Sequence, residues 1–154
     1  MQDNFDFDAF LTAGAPMLAG YCAAIVGPSD AEDAAQEAYL RLWKNLGRLP
    51  NEAAAKAYLY RAAYSASIDI LRRRKLFREP ERPLPKDDSL SERTAAALMR
   101  LPPADRAILY GRAVEEESYE GLAARFGKNE AWARKRYSLA RKKLGILLDK
   151  EEKK

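Results

Sequence analysis

The stretch SYEGLAARFGKNEAWARKRYSLARKKLGILL, residues 118–148, decides the fold class. Ser118 can cap a short helix over Tyr119–Phe126, and Gly127 sits where a left-handed residue is easiest. Asn129 then caps a long helix from Glu130 to about Leu148. Leu122, Ala123 and Phe126 form the inner face of the short helix. Ala133, Tyr137, Ala140, Leu144 and Leu147 step by 4, 3, 4 and 3 along the long one and can pack against it. A short helix, a glycine turn and a long basic helix is the layout of a helix-turn-helix. This packing leaves Arg134, Lys135, Ser138, Arg141 and Lys142 on the outer side, with Arg136 near the boundary. A helix of this kind fits the major groove of DNA, where arginine pairs bidentately with guanine and lysines hold phosphates. An ordinary helical hairpin with a basic outer face carries the same pattern.

Upstream, Pro103 suits the first position of a helix through about Val114, preceded by a helix over residues 91–100. Pro80, Pro83 and Pro85, with Asp87-Asp88-Ser89, make residues 77–91 a linker too rich in proline to be helical. Before it, a helix is expected from about Asp6 to Val26 with a break at Pro16, and Gly27-Pro28 stops it. Ser29 or Asp30 would cap the next helix, which runs to about Leu46 on a buried stripe of Ala35, Tyr39, Leu42, Trp43 and Leu46. After a turn over Gly47–Asn51, a third helix is expected over residues 53–74, with Tyr60, Tyr64, Ile68 and Leu71 as its core stripe. No period-two alternation suggests strands. The fold expected is all-α: two small helical domains, 1–76 and 92–154, joined by the 77–91 linker.

Composition narrows the chemistry. The 154 residues contain no histidine and one cysteine, Cys22. Imidazole acid–base catalysis, disulfide scaffolding and most zinc sites are thereby excluded. No glycine-rich phosphate loop is present, so no catalytic residue, metal or cofactor is expected, and an enzyme fits poorly. The longest uninterrupted apolar run, residues 17–26, is short of a bilayer span. Asp3, Asp6 and Asp8 stand where a secretory signal would be basic, so a cytoplasmic protein is expected. The net charge of +4 is unevenly spread. Residues 1–47 hold seven acids against Arg41 and Lys44, whereas residues 92–154 hold fifteen bases against ten acids. An acidic head on a basic body points to two kinds of partner. Arg72-Arg73-Arg74-Lys75 and the six bases between Arg134 and Lys143 favour a polyanion for the basic part.

The run Asp30-Ala31-Glu32-Asp33-Ala34-Ala35-Gln36-Glu37-Ala38-Tyr39-Leu40-Arg41-Leu42-Trp43 resembles the signature helix of bacterial sigma factors of the extracytoplasmic-function (ECF) type, within the sigma-70 family. Tyr58-Leu59-Tyr60-Arg61-Ala62-Ala63 through Asp69-Ile70-Leu71-Arg72-Arg73-Arg74 is similar to the helix that follows it. Leu101-Pro102-Pro103-Ala104-Asp105-Arg106, with Tyr119–Ala123 and Ala140–Leu144, is similar to the family's second domain. The motifs cover nearly the whole chain in the right order.

The resemblance implies an alternative sigma factor that carries RNA polymerase core to promoters, with core (β′ and β subunits) and promoter DNA as partners and an anti-sigma factor as a further candidate. It implies core contacts by Asp33, Gln36, Glu37 and Arg41, the first three falling at i, i+3 and i+4 on one helix face. It assigns the −10 element, read as unpaired strand by stacking and backbone contacts, to Tyr58, Arg61, Ser65, Arg72, Arg73 and Arg74. The −35 element falls to Arg134, Lys135, Arg136, Ser138, Leu139, Arg141 and Lys142. Three positions depart from the family pattern: Tyr58 replaces a tryptophan, Ser65 an asparagine that contacts a flipped base, and Leu139 a base. A hydroxyl cannot make the two-sided contact of an amide, and Leu139 offers apolar contact suited to a thymine methyl. Trp132, in place of a small residue, either wedges against the DNA backbone or packs inside the domain. A sigma-like decoy that sequesters an anti-sigma factor without initiating transcription is the competing reading of the same departures.

Overall fold

A computed structural model describes residues 6–77 and 90–152. Among these residues there are helices and no strand: α1 (Phe7–Val26), α2 (Pro28–Asn45), a 3-10 turn (Leu46–Arg48), α3 (Glu52–Leu76), α4 (Leu90–Met99), α5 (Pro103–Ala113), α6 (Tyr119–Phe126) and α7 (Glu130–Glu152). The chain divides into two compact units, Met1–Arg78 and Glu79–Lys154. The proline-rich stretch, from 78 to 89, lies outside the described residues, as does Asp3.

In the first unit α1, α2 and α3 pack on one another. Asp6 caps α1 by accepting from Ala9 N at 3.0 Å, and Asn51 caps α3 by accepting from Ala54 N at 2.8 Å. Leu18, Tyr21, Cys22, Ile25 and Val26 of α1, Leu59, Tyr60 and Ala63 of α3, and Ala34, Ala38 and Leu42 of α2 are all buried where the three helices pack. Tyr21 and Tyr60 meet edge to face with centroids 4.9 Å apart. Much of this core is alanine, and small side chains let helices approach closely. An ion pair from Arg74 to Asp30 fastens the end of α3 to the start of α2.

Several local expectations change. The helix passes through Pro16 unbroken. Proline removes one backbone hydrogen bond at the Thr12 carbonyl, and packing of the C-terminal half holds the helix together. By length and composition α1 is also apolar enough to cross a membrane. Counting uninterrupted runs missed it, because Thr12, Gly14 and Pro16 interrupt the run without interrupting the helix. Neither Ser29 nor Asp30 caps α2: Gly27, at φ 89°, closes α1 and precedes Pro28 at the first position of α2. On α2 the buried stripe is Ala31, Ala34, Ala35, Ala38 and Leu42, while Trp43 is 60% exposed. Alanine at four of those positions turns the helix so that position 43 faces outward. On α3, Leu59, Ala62, Ala63 and Ala66 carry the core with Tyr60, while Tyr64, Ile68 and Leu71 are only half-buried.

The second unit is built on α7. Ile108, Leu122, Ala123 and Ala133 form one cluster, with Tyr119, Phe126, Trp132 and Tyr137 packed on it. Leu101, Leu109 and Ala140 form another, with Leu98, Leu144 and Leu147 alongside, and Tyr137 joins the two. Ser118 caps α6 by accepting from Gly121 N at 3.0 Å, and Asn129 caps α7 by accepting from Trp132 N at 2.8 Å. Gly127 adopts φ 63°, ψ 35°, the left-handed conformation expected of it. Trp132 packs against Phe126, with centroids 5.4 Å apart. Buried Arg106 donates to the Met99 and Leu101 carbonyls at 3.2 and 2.6 Å, closing the turn after α4. The last helix does not end near Leu148 but runs to Glu152.

Candidate nucleic-acid and protein interfaces

Three faces gather the residues singled out by sequence, one on α7 and two on the first unit. On α7, Arg134, Lys135, Ser138, Arg141 and Lys142 are all exposed, and Leu139 is 43% exposed beside them. Spacings of three and four residues place them along one side of the helix. Arg134 donates from Nη2 to Glu130 Oε1 at 2.7 Å, and its guanidinium carbon lies 4.6 Å from the centroid of the Tyr119 ring. Arg136 points elsewhere. Its Nε lies 2.8 Å from Oδ1 of fully buried Asp105 on α5, as an ion pair without hydrogen-bond alignment. Lys143 Nζ donates to the other Asp105 oxygen at 3.1 Å. A buried carboxylate needs such partners, so Arg136 serves the domain interior and not the outer face. Tyr119, read from the sequence as a helix start and part of a family motif but not as a site residue, adjoins this face through its contact with Arg134.

A second buried ion cluster shapes the turn before α6. Arg125, almost wholly buried, meets Glu115 through two nitrogens at 3.0 and 3.4 Å and Glu117 at 3.4 Å. Burial, then the charge of Glu115, pushes the Tyr110 hydroxyl above the ordinary tyrosine value.

On α3, Arg61, Ser65, Arg72 and Arg73 are exposed. Tyr58 is half-buried, and its hydroxyl accepts from Asn45 Nδ2 at 2.8 Å across to α2. Arg74 is held by Asp30. Ser65 accepts from Arg41 Nη1 at 3.3 Å, and the same guanidinium reaches Asp69 at 3.5 Å and Glu37 at 3.1 Å. Arg41 therefore stitches α2 to α3, between the two candidate faces of this unit.

On α2, Asp33, Gln36 and Glu37 are exposed on one side. One and two turns further along that side come Leu40, 54% exposed, and Trp43, whose ring lies 4.9 Å from Phe7. An acidic row continued by bare apolar side chains has the make-up of a protein-docking face. The sequence reading missed Leu40 and placed Trp43 inside; the run of small alanines was the signal that the buried stripe lay elsewhere. Beneath this face the Tyr39 hydroxyl is pushed above its ordinary value by burial and then by neighbouring Cys22. Among the described residues no group of three acidic or sulfur side chains is placed to hold a metal.

Residues 10–77 match the family model described as Sigma-70 region 2, and residues 91–144 that described as Sigma-70, region 4. The chain is 33% identical over 128 residues to the ECF RNA polymerase sigma factor SigM of Mycobacterium tuberculosis, in strains H37Rv and Erdman alike. That alignment takes in 77% of this chain and 64% of the relative, so the chain spans less than two thirds of the length of the curated proteins it matches. Among solved structures, the sigma factor RpoE in complex with the anti-sigma factor NepR from Bartonella quintana superposes with a TM-score of 0.75 at 21% identity, over 94% of this chain and 97% of that one. CnrH, in complex with the cytosolic domain of CnrY, gives a TM-score of 0.72 at 23% identity, over 93% and 87%. At these identities the two structures speak for the fold alone.

Proposed function

We propose that this chain, which belongs to the sigma-70 family and to its ECF type, acts in the cytoplasm as an alternative sigma factor that directs RNA polymerase core to its own promoters. In this reading residues 1–76 bind core and the −10 element, residues 92–154 bind the −35 element, and residues 77–91 link them. The α2 face of Asp33, Gln36 and Glu37, extended by Leu40 and Trp43, meets the β′ subunit, with Arg41 behind it. Arg61, Ser65, Arg72 and Arg73 of α3 face the −10 strand. Tyr58 and Arg74 are already engaged by Asn45 and Asp30, and they support that face more than they extend it.

One observation carries the reading. Lys135, Ser138, Arg141 and Lys142 stand exposed together on one side of α7, while Arg136 and Lys143 turn to a buried acid. A surface that satisfies its inward cations and leaves the outward ones clustered suits a polyanion. The decoy reading gives no reason for that clustering. The sigma factor reading also makes an anti-sigma factor a natural further partner, as the family resemblance implies.

The test is run-off transcription by core polymerase supplied with this chain on a library of selected promoters. Enrichment of a two-part promoter motif is expected. Absence of stimulation from every promoter, with an anti-sigma protein still bound tightly, would establish the decoy instead.

A further inference from the structure

We propose that Tyr119 is a positioning residue for base reading by α7: its ring holds the Arg134 guanidinium in place for a base edge. This inference rests on the assignment of α7 to promoter DNA. Tyr119 opens α6, yet its ring belongs to the packing of α7. It lies against the cluster of Ile108, Leu122, Ala123 and Ala133, with the Tyr137 ring 6.2 Å away and tilted by 60°. A ring wedged in this way is a rigid surface. Two guanidinium carbons stand over it, that of Arg112 at 4.2 Å and that of Arg134 at 4.6 Å. Arg112 is itself anchored, because its Nη1 donates to the Glu117 carbonyl at 2.9 Å.

Arg134 has two tethers, the aromatic face and Glu130 at 2.7 Å. The Glu130 pair is exposed on both sides, and exposed pairs of this kind are weak and screened by salt. The ring partner is half-buried, and its flat face gives the guanidinium a surface to lie against. Bidentate recognition of a base requires the guanidinium plane to be correct. An arginine already ordered loses less freedom on docking than one swinging in water. The second cation, Arg112, adds positive charge beside the same ring, which favours an incoming acceptor. Nothing in the sequence pattern pairs Tyr119 with Arg134, since they lie on different helices.

The experiment compares the full chain with core polymerase on a promoter carrying the selected −35 motif and on single-base variants of it. The quantity read is the ratio of affinities, matched over mismatched. Tyr119→Leu is expected to lower that ratio about two- to fivefold, the scale of a cation–π contact near a surface, whereas Tyr119→Phe, which keeps the ring, retains it. Arg134→Ala abolishes the discrimination at its base pair. A folded Tyr119→Leu protein with undiminished ratio, or with equal weakening on every sequence, overturns the positioning role while leaving α7 as the DNA-facing helix. If Arg134→Ala leaves the ratio unchanged, that assignment of α7 falls and the positioning role with it. A second measurement needs no substitution: side-chain Nε relaxation in the unaltered protein should show Arg134 more ordered than Arg141. Equal mobility would sink the proposal even if the leucine variant failed to fold.

Discussion

A single carboxylate fixes how α7 is turned. Asp105 is fully buried on α5, and Arg136 and Lys143, two turns apart on α7, both reach it. Removing it leaves Arg136 without its buried partner while the half-exposed Lys143 turns to water, so Asp105→Ala should cost about 2 kcal/mol, the scale of a lost hydrogen bond to a charged group. Urea unfolding of the variant would measure this. Periodicity could place Arg136 only at a boundary, since the acid that claims it sits on another helix. The same holds for Tyr58, whose hydroxyl is taken by Asn45, and for Arg41, whose three partners span two helices. Such pairings are tertiary facts that residue type and spacing do not encode. Tyr39 offers a pH test. Its raised value means that the folded chain keeps the phenol proton where the unfolded chain would release it. Stability from this source is complete below the ordinary tyrosine value and drains away as pH climbs beyond about 10. Tyr39→Phe should flatten the alkaline limb of a stability–pH curve; an unaltered limb would place the cause elsewhere.

At the scale of the element, helix ends were legible where a side chain or a glycine does the capping. Ser118, Gly127 and Asn129 act as their types dictate. Gly127→Ala forces a Cβ into the left-handed region and should cost about 1 kcal/mol, seen as a lower thermal midpoint for the second unit. Helix faces were harder to read. On α7 the steps of three and four gave the buried side directly: Ala133 and Ala140 are fully buried, and Tyr137, Leu144 and Leu147 lie half-buried along the same side. On α2 and α3 the buried side is mostly alanine, so the aromatic residues that periodicity favours could lie outside it. Trp43 does. Pro16 misled for a related reason: a local breaking preference yielded to the packing of the residues that follow it.

Across the whole molecule, the contrast of acidic and basic halves predicts two separable losses. Asp33→Lys should weaken binding to core polymerase by at least tenfold in a fluorescence-anisotropy titration, with helical content and DNA binding by the second unit unchanged. Arg141→Ala should weaken promoter binding similarly on all sequences and reduce the slope of log affinity against log salt by about 0.9, as for one lost phosphate contact. A sequence-dependent loss would instead place Arg141 on a base edge. The all-α class could be read from the chain alone because it rests on periodicity and on proline and glycine, whereas the order of motifs was read from the family resemblance. The buried alanines of the first unit carry a last consequence. Ala34 and Ala38 on the rod bearing Asp33, and Ala63 on the rod bearing Arg61, are fully buried where the three helices of this unit pack. A bulkier side chain there would prise the rods apart, so one substitution invisible from outside could disable two recognition tasks together, mimicking a double lesion in any genetic screen.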